Sequence, residues 1–241
     1  RRNRGGAVNL PNAITVGRIV AAPAIALLAL LPSWPARLAA FVIFIIAALT
    51  DYIDGKLARD RNLVTDLGRV LDPLADKLLL AATVAPLYIL QAPPHDVLGS
   101  YTASAGFLGL TSLPFRTPVG PVSLPFWVVA IVLGREIVMT VFRQAALRRG
   151  TVIAAIGPAK WKTGFQWTWI GSALFWFFAT SAFTAASLTP SFVTPASLFI
   201  GIVGTASLVG AIVFSLYSLG LYLGRYGGVF LRPNPRARQS P

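Results

Sequence analysis

The stretch Ala39-Ala40-Phe41-Val42-Ile43-Phe44-Ile45-Ile46-Ala47-Ala48-Leu49-Thr50-Asp51-Tyr52-Ile53-Asp54-Gly55 decides the fold. The apolar run it belongs to spans 36–58, and about 20 such residues are enough to cross the hydrocarbon core of a bilayer. Polar and apolar residues do not alternate along it, so it reads as a helix and not as a barrel strand. Two carboxylates stand near its end. Five further runs share its character, at 13–31, 71–90, 126–147, 163–187 and 194–223. The expected fold is therefore all-α, a polytopic membrane bundle of six transmembrane helices.

Composition agrees. Of 241 residues, 55% are hydrophobic and only 12% are charged, and the mean hydropathy is +0.68, an apolar excess over ordinary soluble domains. A net charge of +13 could suggest nucleic acid. These charges punctuate apolar runs and do not form one polar face, so no nucleic-acid partner is expected. The absence of Cys excludes disulfides, thiolate metal sites and a Cys nucleophile. A single His, His95, excludes multi-His zinc sites.

Lys and Arg set the orientation. The N-terminus, the 56–69 and 143–162 links and the 225–238 tail hold most of them, whereas the opposite side holds only Arg37 and Arg116. The positive-inside rule puts both termini in the cytoplasm, which implies a multi-pass protein of the cell (inner) membrane with its site facing the cytoplasm. The domain reading is an interfacial segment at 1–12, a membrane domain at 13–225 and a basic flexible tail at 226–241. The Pro- and Gly-rich connection 91–125, which contains His95, reads as an external loop with at most short structured pieces. The opening Arg1-Arg2-Asn3-Arg4 before 13–31 imitates a signal peptide. Pro32-Ser33-Trp34-Pro35 is a poor cleavage site, however, and the run is expected to stay as the first helix. The chain opens on Arg1 and not Met, which suggests numbering that begins inside a longer chain.

The chemistry is concentrated in one place. Six of the eight acidic residues, Asp51, Asp54, Asp60, Asp66, Asp72 and Asp76, lie between positions 51 and 76. Asp51 and Asp54 are spaced i, i+3, and Asp72 and Asp76 are spaced i, i+4, so each pair projects from one helical face. An antiparallel turn between the two helices would bring four carboxylates together. Such a group repels itself unless a cation neutralises it. Oxygen-only donors suit a hard ion, Mg²⁺ or Mn²⁺, and two such ions would bridge and polarise phosphate oxygens. Gly55, Ala58 and Gly68 leave room for a phosphate to approach the backbone, and Arg59 offers a fork of donors.

The segment Asp51-Tyr52-Ile53-Asp54-Gly55-Lys56-Leu57-Ala58-Arg59, followed by eight residues, Gly68, three residues, Asp72, three residues and Asp76, resembles the whole signature of the CDP-alcohol phosphotransferase family. The resemblance implies a six-helix, usually homodimeric membrane enzyme that moves a phosphatidyl or related group from a CDP-linked donor to an alcohol, releasing CMP. It also implies that Asp51, Asp54, Asp72 and Asp76 hold two Mg²⁺ ions, with Mn²⁺ as an alternative. Asp76 would act as the base, and Gly55, Ala58, Arg59 and Gly68 would form the CDP pocket.

Other segments, Asn9-Leu10-Pro11-Asn12-Ala13-Ile14-Thr15-Val16-Gly17-Arg18, Leu71-Asp72-Pro73-Leu74-Ala75-Asp76-Lys77, Arg135-Glu136 with Arg143, and Lys160-Trp161-Lys162-Thr163 with Gln166, are similar to one branch of that family. Its donor is CDP-diacylglycerol and its acceptor is sn-glycerol 3-phosphate. Arg135, Arg143, Lys160 and Lys162 are then the expected acceptor-phosphate residues. Arg135 lies deep in the fourth run, and eight residues separate it from Arg143, about 80° around a helix. Arg18 and Asp66 are further candidates, Asp66 equally as a cap of the third helix. Glu136 is expected to pair with Arg135 or a basic neighbour. Ala159 and Trp161 depart from the branch pattern, which leaves the acceptor side less defined than the metal side. The rival readings are the same chemistry with inositol phosphate or phosphatidylglycerol as acceptor, a prenyltransferase with differently spaced Asp residues, and an ion-coupled transporter whose carboxylates bind cations.

Overall fold

In a computed structural model of the chain, described over residues 10–60, 66–91, 115–122, 124–153, 157–187 and 190–228, each of the six apolar runs is helical. The helices are α1 (Leu10–Leu30), α2 (Trp34–Asp60), α3 (Asp66–Gln91), α4 (Phe126–Arg148), α5 (Gly157–Ala185) and α6 (Pro190–Tyr226). Among the described residues of the 91–125 connection is a hairpin of β1 (Phe115–Thr117) and β2 (Gly120–Val122), antiparallel with Phe115 opposite Val122. His95, the N-terminal residues 1–9 and the tail from 229 lie outside the described residues. Helix α1 begins at Leu10, a little before the expected span.

Four helices hold a segment long and apolar enough to cross a membrane: Ala13–Leu30, Trp34–Asp51, Leu71–Leu90 and Pro195–Tyr226. In α4 the apolar run is interrupted by Arg135, Glu136 and Arg143, and in α5 it is diluted by Gly, Ser, Thr and Trp. Several apolar helices of this kind are the mark of a multi-pass membrane protein.

Helices α1 and α3 pack together, α2 bridges α1 and α5, and α6 covers α5, α4 and the hairpin. Buried residues follow three- and four-residue steps on every helix. On α1 the seam is Thr15, Arg18, Ala22, Ile25 and Ala29; on α2 it includes Ala40, Phe44 and Ala47; on α6 it includes Ser197, Leu208, Ala211, Ser215, Ser218 and Tyr222. Side chains three and four apart share a helical face, so these seams turn inward. Their small residues let backbones approach, the packing mode of helices in lipid. The outward residues are large and apolar: Val20 is 66%, Leu27 67% and Phe199 70% exposed. A surface of this kind is suited to hydrocarbon, not to water.

At the end of the bundle away from the carboxylates, Arg37 of α2 ties the structure together. Its Nε donates to the Leu31 carbonyl at 3.0 Å, its Nη1 donates to Ser181 Oγ at 2.5 Å, and its guanidinium lies over the Phe177 ring. The hairpin is anchored on α6 by the fully buried Phe115. That ring occupies the space a Cβ would take on Gly204, which would fall 2.2 Å from it.

Gly204→Ala is therefore expected to destabilise the fold by about 1–3 kcal/mol through overpacking, seen as a lower unfolding temperature of the detergent-solubilised protein. Phe115→Leu in the same chain should recover part of that loss, because the two positions share one space.

Candidate active site

The inward seams become polar at one end of the bundle. There α1 contributes Thr15 and Arg18, α2 contributes Asp51, α3 contributes Asp72 and Asp76, α4 contributes Arg135 and Glu136, α5 contributes Lys162 and Gln166, and α6 contributes Ser218 and Tyr222. Successive helices run in opposite directions, so residues from alternate helix ends meet. Asp51 continues the Ala40, Phe44, Ala47 seam of α2, and Asp76 continues the Leu79, Leu80, Val84, Leu87 face of α3. The acid cluster is thus aimed by the same spacing that buries the core.

Arg18 is the centre of the first group. Its side chain is only 5% exposed, yet it pairs with three carboxylates on two other helices: Nη1 donates to Asp51 Oδ1 and, at 2.8 Å, to Asp76 Oδ1, while Nη2 stands 3.7 Å from Asp72 Oδ1. Thr15, one turn earlier on α1, donates to the same Asp72 oxygen at 2.6 Å. Arg18 Nε is buried without a hydrogen-bond partner among the described residues. A guanidinium stays charged at any physiological pH, so it can be buried here only because the carboxylates accept from it.

These three carboxylates have the donor chemistry of a hard divalent-ion site, all oxygen and without imidazole or thiolate. Among the described residues they do not form a closed set of metal ligands; they are collected on Arg18. Asp54, Gly55, Ala58 and Arg59 fall on α2 and Asp66 and Gly68 on α3, but their side chains lie outside the described residues.

A second group faces the first. Glu136 Oε1 accepts from Arg135 Nη1 at 2.9 Å and from Lys162 Nζ. Arg135 Nη2 donates to Ser218 Oγ at 2.9 Å, and Arg143 donates to the Tyr222 hydroxyl at 3.2 Å with its guanidinium over that ring. Glu136 thus joins α4 to α5, and Arg135 joins α4 to α6. The pairing expected for Glu136 is present, with both cations at once.

Between the two groups lies a cleft of about 100 Å³, open to solvent and lined by Asp51, Asp76, Lys77, Leu80, Glu136, Lys162, Thr163, Gln166 and Trp167. Of the basic residues singled out from the sequence in the second half, Lys162 lines it. Arg135 is buried behind Glu136, Arg143 is exposed and engaged with Tyr222, and Lys160 is exposed on the outer face of α5. The sequence by itself assigns Thr15 no role and Arg18 only a candidate one. Their shared stripe with Ala22, Ile25 and Ala29 was the available signal that both point inward.

A sequence profile described as CDP-alcohol phosphatidyltransferase matches residues 8–203. The chain is 35% identical over 165 residues to "CDP-diacylglycerol--glycerol-3-phosphate 3-phosphatidyltransferase 1, chloroplastic/mitochondrial" of Arabidopsis thaliana, covering 67% of this chain and 49% of that protein. It is 33% identical over 170 residues to "CDP-diacylglycerol--glycerol-3-phosphate 3-phosphatidyltransferase" of Bacillus subtilis, covering 66% and 72%. A "Probable phosphatidylglycerophosphate synthase" of Mycobacterium tuberculosis is 34% identical over 172 residues, covering 70% and 66%. The match spans about half the length of the first Arabidopsis relative and 61% of a second one.

Arg18→Gln leaves Asp51, Asp72 and Asp76 without their shared counter-charge. The Asp side chains are 34–55% exposed, so water offsets part of the loss, and about 1–3 kcal/mol of destabilisation is expected. The check is the unfolding temperature in detergent at low ionic strength, where the difference from the unsubstituted protein should exceed that at high salt.

Proposed function

Because the chain belongs to the CDP-alcohol phosphatidyltransferase family, we propose that it transfers a phosphatidyl group from CDP-diacylglycerol to sn-glycerol 3-phosphate, giving phosphatidylglycerol phosphate and CMP in phospholipid biosynthesis. The relatives named for that reaction support the substrates. The observation that carries the assignment is the cleft in which Asp51 and Asp76 face Lys162. One end is acidic and suits metal-bridged phosphates; the other presents a cation to an acceptor that is itself phosphorylated.

In this reading Asp51, Asp54, Asp72 and Asp76 would be the residues that hold two Mg²⁺ ions, or Mn²⁺. The ions supply the positive charge that polarises the donor phosphate and stabilises the leaving CMP. Asp76 Oδ1 accepts from Arg18, which leaves Oδ2 to take the proton of the attacking hydroxyl. Arg18 fixes the orientation of that carboxylate, and Thr15 does the same for Asp72. Gly55, Ala58, Arg59 and Gly68 receive the CDP group.

Lys162 binds the acceptor phosphate after leaving Glu136, while Arg135 holds Glu136 from behind. Arg143 and Lys160 give that end of the molecule its positive field. A phosphorylated acceptor is favoured over a neutral alcohol by this cation, which a neutral alcohol would not need.

The site lies at the end of the bundle joined to the Lys- and Arg-rich links, which supports a cytoplasmic active site with both termini on that side and all six helices spanning the inner membrane. Helices α4 and α5 cross despite their polar residues, because Arg135, Glu136, Lys162 and Gln166 face the protein and not lipid. A homodimer in the bilayer completes the proposal.

Asp76→Asn should retain folding and CDP-diacylglycerol binding while CMP release falls by about 10²–10⁴; near-normal release would reject Asp76 as the base. Lys162→Met should raise the apparent KM for sn-glycerol 3-phosphate about tenfold or more, with little change in that for CDP-diacylglycerol. An acceptor panel that includes inositol phosphate and phosphatidylglycerol, read by CMP release before and after chelation of divalent ions, tests the reaction itself. Release independent of both acceptor and metal would refute it.

A further inference from the structure

Among the described residues, one cation that lines the cleft makes no ion pair or hydrogen bond: Lys77 of α3, next to Asp76. Lys162 on the opposite wall is already matched by Glu136, and Arg18 by its three carboxylates. Asp76 does not serve Lys77, because successive residues on a helix diverge by about 100° and do not face each other. Its Oδ1 is turned to Arg18 instead.

Helical phase aims Lys77 into the cleft and away from lipid. Counted back along α3 in three- and four-residue steps, Leu87, Val84 and Leu80 form a buried seam, and Lys77 is its next position. The outward face carries Leu74, Leu78 and Ile89 instead. A lysine on that outer face would lay its stem along lipid to reach the headgroups, whereas Lys77 stands half-buried where the seam opens into the cleft beside Leu80. A charge kept at the mouth of an apolar seam is costly unless water or an anion meets it.

Resting on the reaction proposed above, in which Asp76 takes the proton of the attacking hydroxyl, we propose that Lys77 is a catalytic residue whose ammonium hydrogen-bonds a non-bridging oxygen of the phosphate being transferred. The cleft holds only about 100 Å³, so a phosphorus within bonding reach of the oxygen that Asp76 deprotonates also lies against the adjoining Lys77. In the step, the hydroxyl oxygen bonds to phosphorus as its proton passes to Asp76, and the bond from phosphorus to the CMP oxygen breaks with its electron pair leaving on CMP. Negative charge builds on the non-bridging oxygens meanwhile. Lys77 stays protonated throughout and supplies a donor and a positive charge already in place when that charge develops. Its role concerns the transferred group and is indifferent to which alcohol attacks.

The test is steady-state CMP release by the full-length protein in detergent, with CDP-diacylglycerol and sn-glycerol 3-phosphate varied in turn. In Lys77→Met, kcat should fall by about 10²–10³, the loss that follows removal of one donor to a developing oxyanion, while the apparent KM for each substrate stays within about threefold. Lys77→Arg should recover most of the loss, and kcat should keep the pH dependence of the unsubstituted protein. Three results overturn the role: a kcat within about threefold of the unsubstituted value, a loss confined to the KM for sn-glycerol 3-phosphate, or a loss recovered by changing the pH, which would make Lys77 act through Asp76. If Lys77→Met does not fold, as judged by its unfolding temperature, Lys77→Gln decides by the same criteria, and failure of both to fold overturns the role in favour of a structural one. Failure of the underlying reaction is distinguishable: if the unsubstituted protein releases CMP only with another acceptor, the comparison is made with that acceptor, and only the absence of any CMP release removes the role of Lys77 together with the reaction.

Discussion

The structure depends on a permanently charged guanidinium placed among carboxylates at the polar end of an apolar bundle. Arg18 is buried on α1, and its partners Asp51, Asp72 and Asp76 come from α2 and α3. A pair of unit charges 4 Å apart gains about 4 kcal/mol at an effective dielectric of 20, before desolvation is subtracted. Three partners, each still partly hydrated, share that desolvation with water. The same contacts fix the relative register of the first three helices, so the acid cluster and the packing of α1 are one feature.

The other half of the bundle repeats the device with opposite sign. Glu136 is the anion shared by Arg135 and Lys162, and through it and Ser218 the helices α4, α5 and α6 are held together. A net-negative group and a net-positive group therefore face each other across the cleft. The reaction proposed for the chain, with metal-held phosphate on one side and a phosphorylated acceptor on the other, was drawn from that division.

Both clusters are continuations of helical seams that elsewhere bury alanine, leucine and serine. Lipid supplies no hydrophobic drive between helices, so close approach of small residues and interhelical hydrogen bonds carry the packing, while large apolar residues turn outward. The far end is closed by Arg37 on Ser181 and Leu31 and by Phe115 over Gly204. This leaves the cleft end as the polar opening of the bundle.

Six helices, the pairing of Asp72 with Asp76 on one face and the crowding of acids between 51 and 76 were legible in the chain, because hydrophobic length and three- or four-residue spacing are local properties. The family was legible too, since its signature lies within one stretch. The three- and four-residue spacing from Thr15 through Arg18 to Ala22, Ile25 and Ala29 was present in the chain, but only the structure shows it to be a buried stripe of α1. Spacing could not say what stood opposite, because Thr15 meets Asp72 across 57 positions and Arg135 meets Ser218 across 83. Helical phase determines which way a side chain points from its own axis. Only the packing of one helix against another decides which cation finds which carboxylate, which arginine is buried behind a glutamate, and which lysine faces the cleft.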